Sequence, residues 1–313
     1  MIDIIIPAYN AHETIERALI SIANQSVKEM LKVYIINDNS DSDYSAIIKK
    51  FSHIIDITEF KLDKNHGPGY ARQYGLEHSE NEKIMFLDSD DVFLSFFAIE
   101  QLVLKMNETN CDIVFSNVFE QMEKEYLLYT EDWIDIQGKL YKRHFIEEHG
   151  ISFPSLYGEE DCSFNQQFYA FMPYIEKIDE ATYVRLSYKD SLTRSNSNDY
   201  YSKYEYYFSA GYLYTLNNII KNHANNGTIA KIAFSAILRL YNRIENVHKG
   251  NYKNNKTFSN LKKIIEVYDE YKDYLQESEI IDSVNNEDFP VLSKYDYLKE
   301  RKTTLYDFID KYR

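Results

Sequence analysis

Lys83-Ile84-Met85-Phe86-Leu87-Asp88-Ser89-Asp90-Asp91 decides how the rest of the 313-residue chain is read. An apolar run of strand length ends abruptly in three carboxylates within four residues. Asp is depleted in strands and an unpaired charge resists burial, so such an ending needs a reason. At the carboxyl end of a strand in an open α/β sheet, the acids face the crevice where these sheets bind ligands. Two Asp oxygens converging there suit a hard cation, Mg2+ or Mn2+, shared with phosphates. The plain alternative is a solvated acidic turn. The chain holds a second Asp-x-Asp at Asp41-Ser42-Asp43, so the tripeptide alone is weak. The strand before it and its companions along the chain give it weight.

Those companions come first in the sequence. Ile2–Pro7 is nearly all apolar, as a strand buried on both faces requires, and Pro7 ends it. Asn10 with Glu13 three residues on reads as a capping box for a helix that carries Ile15, Leu19 and Ile22. Lys32–Asn37 repeats the strand, closing on Asn37-Asp38-Asn39-Ser40, and a helix follows from near Asp41 with Tyr44, Ile47, Ile48 and Phe51 on one face. A third strand falls within Ile54–Leu62. After it Asn65-His66-Gly67-Pro68-Gly69-Tyr70-Ala71-Arg72-Gln73 makes a Gly/Pro turn opening a short helix. Three βα units ahead of Asp88 imply a mostly parallel sheet with right-handed crossovers.

Beyond Asp91 the pattern predicts a helix over Leu94–Asn107 and a strand over Asp112–Asn117, then a mixed stretch to Trp133. Gly138 to Lys142 is a turn into a strand or helix. Glu159-Glu160-Asp161 precedes an aromatic helix over Phe164–Phe171, and Ile175–Leu186 reads as a strand. From about Tyr200 periodic Tyr, Leu and Ile alternate with charges, which predicts a helical C-terminal region. Residues 1–200 and 201–313 are thus expected to be separate units.

Pro7-Ala8-Tyr9-Asn10, Asp38 and Asp88–Asp91 all fall at carboxyl ends of strands and therefore share one rim, with the Gly67–Arg72 turn beside them. Backbone N–H groups, an arginine and a cation site on one rim suit a nucleoside diphosphate. Taken together these stretches resemble glycosyltransferase family 2 with the GT-A (Rossmann-like) fold. Its members open with a strand ending in Pro-x-Tyr/Phe-Asn, carry an Asp after the second strand, an Asn-x-Gly…Ala-Arg segment, an Asp-x-Asp and a later Glu-Asp. Pro7–Asn10, Asp38, Asn65–Gly75, Asp88 with Asp90, and Glu160 with Asp161 match in turn, over roughly residues 1–200. Gly138–Lys142 resembles the family's acceptor-side stretch.

The resemblance implies an inverting transferase using a nucleotide-sugar, most often UDP-linked. Pro7, Ala8, Tyr9, Asn10, Asp38, Gly69, Arg72, Asp88 and Ser89 would hold the donor. Asp88 and Asp90 would bind Mn2+ or Mg2+. Asp161 would be the general base and Glu160 an acceptor contact. The departures are Asn37 for a second Asp, Asn39 for a common Gly, Gln73 for an Asn, and no late His over Tyr183–Asn198, where Ser191, Thr193 and Arg194 stand. Asn39 suits the left-handed backbone that Gly would supply.

Composition bounds the partners. A net charge of −15 disfavours non-specific attraction to nucleic acid or anionic membrane. Two Cys, Cys111 and Cys162, fit a reducing compartment. No leader-like segment opens the chain and no apolar run reaches the roughly 20 residues of a membrane span, so a cytoplasmic location is expected. Between Lys231 and Lys263 eight Lys/Arg stand against Glu245 alone, with Tyr241, Tyr252 and Phe258 interleaved. That segment is either a solvated face or a patch for a phosphate-bearing acceptor, a teichoic acid or DNA. The expected activity is transfer to an acceptor hydroxyl of a cell-surface glycan. Its alternatives are a phage transferase acting on hydroxymethylated DNA bases and a non-catalytic sugar-nucleotide-binding module. The Tyr-rich C-terminal region is expected to cover an acceptor cleft or pair subunits.

Overall fold

A computed structural model of the chain describes residues 1–41, 43–122, 125–130, 135–187, 198–248, 251–275 and 305–313. They form two units, Met1–Ser197 and Asn198–Arg313.

In the first unit the strands are β1 (Ile2–Ala8), β2 (Leu31–Asn37), β3 (Asp56–Lys61), β4 (Lys83–Phe86), β5 (Val92–Phe93), β6 (Ile113–Gln121), β7 (Tyr126–Tyr129), β8 (Lys139–Lys142) and β9 (Ile175–Arg185). The helices are α1 (Ile15–Ala23), α2 (Ser45–Phe51), α3 (Pro68–His78), α4 (Ala98–Thr109), α5 (Arg143–Glu148) and α6 (Glu160–Ala170). Among the described residues the strands make one sheet in the order β3-β2-β1-β4-β8-β6-β9-β5, with β7 paired to β6. The half built from βα units, β3-β2-β1-β4, is parallel. The other half is mixed, because β8 runs antiparallel between β4 and β6 while β9 runs parallel to β6.

Burial follows strand alternation. Ile2, Ile4 and Ile6 enter the core shared with α1 and α4, while Ile5 enters the opposite core shared with α3, α5 and α6. Period two on a strand sends neighbours to opposite faces, and both faces here carry helices, so β1 is apolar apart from the buried, hydrogen-bonded Asp3 near its start. β1 extends one residue beyond Pro7, to Ala8. Ile5 O accepts from Leu87 N, so the odd residues of β1 point their backbone groups toward β4. Pro7 has no N–H to offer on that side, and β4 has already ended there.

In the second unit α7 (Asn198–Lys221), α8 (Asn226–Tyr241) and α9 (Asn255–Tyr271) pack on one another, and residues 305–312 form a further helix, α10. Asn225 and Asn254 cap α8 and α9 by accepting backbone N–H groups from the first turn. A π-helical segment, Asn242–Val247, continues α8. The basic segment is partly neutralised within this unit. Arg243 Nε and Nη2 both lie 2.8 Å from Oε1 of the buried Glu205. Arg239 sits over the Phe208 ring, and Glu245 pairs with Lys311. Lys249 lies outside the described residues. No helix among the described residues is long and apolar enough to cross a membrane.

Candidate active site

The loops after β1 and β2 interlock. Asn10 takes a left-handed backbone, φ 50°, and is not a helix cap; α1 begins only at Ile15, after Thr14. Its N–H instead donates to Ser40 Oγ at 3.0 Å, and its Oδ1 accepts from Asp41 N at 2.9 Å. The buried Tyr44 hydroxyl closes the same junction, accepting from Ala11 N at 2.9 Å. Asn39 is left-handed as well, φ 60°, and Asn37 Oδ1 accepts from Ser40 N across the turn. α2 starts at Ser45 rather than near Asp41, with Asp43 accepting from Ser45 N. Of the donor-side candidates in β1, Ala8 is buried and its carbonyl accepts from Asp38 N, while Tyr9 is exposed.

Asp38 holds the entry to α3. Its two oxygens accept from His66 N at 2.8 Å and Gly67 N at 2.7 Å. Burial pushes its carboxyl above the usual range, against the pull of those two amides. Gly67 has φ 89°, and a Cβ there would press on the Tyr157 ring. At Gly69 a Cβ would lie 2.1 Å from the Pro154 carbonyl oxygen and 2.9 Å from Glu160 Cβ. The glycine therefore brings the first turn of α3 against the start of α6.

Arg72 is the centre of the site. Buried on α3, it donates from Nη2 to Asp88 Oδ1 and from Nη1 to Glu160 Oε1, each at 2.6 Å. Its Nε is buried with no hydrogen-bond partner. One guanidinium thus joins acids 72 residues apart in the chain. Burial alone would push the Arg72 charge out, and Asp88, Glu160 and Asp161 outweigh it and keep the cation. Burial likewise pushes Asp88 up, but Arg72, with Gln137 and Arg185, holds it below the usual carboxylate range. Glu160 goes the other way. Burial and the neighbouring Asp161 charge push it up to about 7 despite Arg72.

The three acids of the turn separate in role. Asp91 is buried, accepting from the Tyr183 hydroxyl and from Leu186 N, each at 2.8 Å. Burial, then the Asp88 and Asp90 charges, push its carboxyl well up. Asp91 is a tether to β9, whereas Asp88, Ser89 and Asp90 are only half-buried. Asp161 is half-buried in the first turn of α6, which begins at Glu160, earlier than Phe164; its Oδ1 accepts from Cys162 N at 2.8 Å. Burial and the surrounding acids push the Cys162 thiol well up, so it is a poor thiolate.

Several residues at the site gave no sequence signal. Gln137 donates to Asp88 Oδ2 at 2.8 Å and accepts from Arg185 Nη2 at 3.2 Å. Arg185 also binds the Asp135 carboxylate. Arg17 of α1 donates to the Asp90 carbonyl at 2.5 Å. The turn at Gly138 leads into a strand, β8, in mid-sheet. Residues 188–197, which include Ser191, Thr193 and Arg194, lie outside the described residues.

The donor set bears on a metal. No group of three or more His, Cys, Asp or Glu among the described residues could enclose one. Both Asp88 oxygens already accept one hydrogen bond and keep a lone pair each. The Asp88 carboxylate, with Asp90 two residues on, therefore fits only an ion that takes one or two carboxylates from protein and the rest of its shell from phosphate and water, as Mg2+ does.

Residues 3–163 match the family Glycosyl transferase family 2. The chain belongs to that family. The GalNAc(5)-diNAcBac-PP-undecaprenol beta-1,3-glucosyltransferase of Campylobacter jejuni is 29% identical over 177 residues, 54% of this chain and 56% of that protein. The poly(ribitol-phosphate) beta-N-acetylglucosaminyltransferase TarS of Staphylococcus aureus is 26% identical over 196 residues, 58% of this chain and 34% of that protein. The matched regions thus span little more than half of the first relative's length and a third of the second's. The crystal structure of S. aureus TarS 1-349 with UDP-GlcNAc superposes with a TM-score of 0.72 at 17% identity, covering 99% of this chain and 90% of that one. The shared fold is GT-A.

Proposed function

We propose that this family 2 chain is a metal-dependent inverting glycosyltransferase, moving a sugar from a UDP-sugar to a hydroxyl of a cell-surface glycan. The observation that carries the reading is Arg72, which draws the Asp88 turn and the Glu160-Asp161 pair to one rim. The names of the relatives speak of transfer to poly(ribitol-phosphate) and to an undecaprenol-linked saccharide, and TarS has been solved with UDP-GlcNAc, which supports a UDP-sugar and a glycan acceptor.

Pro7 to Asn10, Asp38 and Gly69 border the nucleoside, with Arg72, Asp88 and Ser89 beside the diphosphate. Mn2+ or Mg2+ held by Asp90 and Asp88 would supply Lewis-acid stabilisation of the leaving diphosphate. Asp161 takes the proton from the acceptor hydroxyl as its oxygen attacks the anomeric carbon. A single in-line displacement inverts that centre, through an oxocarbenium-like transition state akin to that of glycoside hydrolysis. Glu160, held by Arg72, orients the acceptor. The test is UDP release and product formation from a panel of UDP-sugars with Mn2+. Transfer that disappears in Asp161→Asn and Asp90→Ala supports the reading. Nucleotide binding with no turnover on any donor would instead make the chain a binding module.

A further inference from the structure

We propose that Arg17 is a positioning residue, which from α1 sets the backbone of the Asp88–Asp91 turn and with it the placing of the Asp90 carboxylate. The inference rests on the reading above that Asp90 helps to hold an ion, and it adds the residue that sets that site from outside the acidic turn. Asp91 N donates to Asp88 O at 3.0 Å, which closes Asp88-Ser89-Asp90-Asp91 as a hydrogen-bonded turn. The C=O of Asp90 and the N–H of Asp91 belong to one planar peptide. Asp88 O takes the N–H, and Arg17 Nη2 donates to the C=O at 2.5 Å. That plane is therefore pinned at both ends, which fixes ψ of Asp90. The turn supplies the first pin itself. The second comes from 73 residues away in the chain.

Arg17 is the first of three polar residues that hold one segment. Arg17 and Ser21 on α1, with Gln25 just past its end, recur every four residues and so share one side of the helix. Each holds a later point on the chain that follows Asp88. Arg17 takes Asp90 O, Ser21 Oγ accepts from Phe93 N at 3.2 Å, and Gln25 donates to Ser95 O at 2.8 Å and accepts from Ile99 N at 3.1 Å. Gln25 is buried with both ends of its amide bonded, as a joint made for the fold should be. Arg17 differs. Its Nε is buried with no hydrogen-bond partner, a loss that an apolar side chain at this place would not carry. Its one short bond is charge-assisted and lands on the peptide between Asp90 and Asp91. Such a guanidinium adds little to the fold and is suited to placing that backbone, as the groups behind a metal ligand do.

The experiment uses the full chain and does not depend on turnover. Hydrogen–deuterium exchange is followed in peptides over residues 88–93 and 94–102, Mn2+ binding with UDP by electron paramagnetic resonance, and stability by thermal melts. Arg17→Met speeds exchange over the first peptide and leaves the second unchanged. It weakens Mn2+ binding about 10–100-fold, the worth of a group behind a metal ligand, with the melting temperature close to wild type. Arg17→Lys, which can still donate to the carbonyl, recovers part of the affinity. Gln25→Ala does the reverse, lowering the melting temperature and leaving Mn2+ affinity per folded molecule unmoved. Exchange over 88–93 that is the same in Arg17→Met and wild type overturns the proposal. So does an unchanged Mn2+ affinity in Arg17→Met where Asp90→Ala loses it. A third overturning result is a melting temperature that falls as far in Arg17→Met as in Gln25→Ala, which makes Arg17 a joint of the fold. If the wild-type chain takes up no Mn2+ with UDP, the ion reading fails, and exchange over 88–93 alone decides the role of Arg17.

Discussion

Two arginines, Arg72 buried and Arg143 half-buried, hold opposite ends of the same sheet, and they are built differently. At the amino edge Arg143 donates from Nε to Asn81 O, from Nη1 to Leu76 O, and from Nη2 to Ser79 Oγ and Asp3 Oδ2. Asp3, fully buried, also accepts from Glu80 N, Asn81 N and Asn81 Nδ2. Every donor group there has a partner. At the carboxyl rim Arg72 faces two carboxylates, keeps a buried Nε without a partner, and stands beside a glutamate pushed up to about 7. A satisfied cluster does structural work only. A cluster with surplus acid and an unused donor is poised for something the chain does not itself contain, which is why perturbed groups gather at functional sites.

Substitutions sharpen or break this contrast. The largest effect is on chemistry at the rim. Asp161→Asn lowers kcat by about 10²–10⁴-fold, the worth of a general base, with the chain still folded; UDP release and thermal melts check both. Next comes the amino edge. Arg143→Met leaves the buried Asp3 carboxylate without its cation and destabilises by about 3–5 kcal/mol, read from urea unfolding, without changing activity per folded molecule. Arg72→Met costs less stability, because Glu160 can take up a proton, yet abolishes transfer. Equal losses from the two would erase the distinction drawn here.

The third effect is on pH dependence. Glu160 binds its proton more tightly folded than unfolded, from an ordinary 4.5 up to about 7. The folded chain then holds more protons between those values, so this group's contribution to stability falls as pH rises through them and levels off above. Glu160→Gln removes that slope, gaining on wild type up to about 3 kcal/mol by pH 8, in urea titrations at pH 5 and pH 8. A difference that is flat with pH would sink the assignment. The smallest effect is at Asp38. Asp38→Ala frees the two amides before α3 and costs about 1–2 kcal/mol, with a rise in donor KM.

The rim was largely legible before any coordinates. Buried strands read as apolar runs, and their polar endings stand out against them, which is why Asp38, Asp88 and the Glu160-Asp161 pair could be picked from sequence and are found linked by Arg72 and the α3 turn. What stayed hidden was set by tertiary contact. Asn10 and Glu13 carry the capping-box spacing, but the loop is drawn to Ser40 and Tyr44 instead, and α1 starts later. Asp90 and Asp91 are indistinguishable in sequence, and only Tyr183 and Leu186, over 90 residues away, make one of them a tether. Gln137 and Arg185 lie in the mixed half of the sheet, where no βα rhythm marks strand ends. The basic segment looked uniform because Glu205, which engages Arg243, falls outside any local window.

Tyr183 has a consequence for ligand affinity. Its phenol, without solvent exposure, accepts from Asp88 N and donates to Asp91, so it spans the acidic turn from both ends. The turn is therefore frozen as the sheet forms, and the ion and diphosphate proposed for this rim would meet a preorganised receptor. The entropy of ordering those residues is already lost in folding, and binding does not bear it a second time.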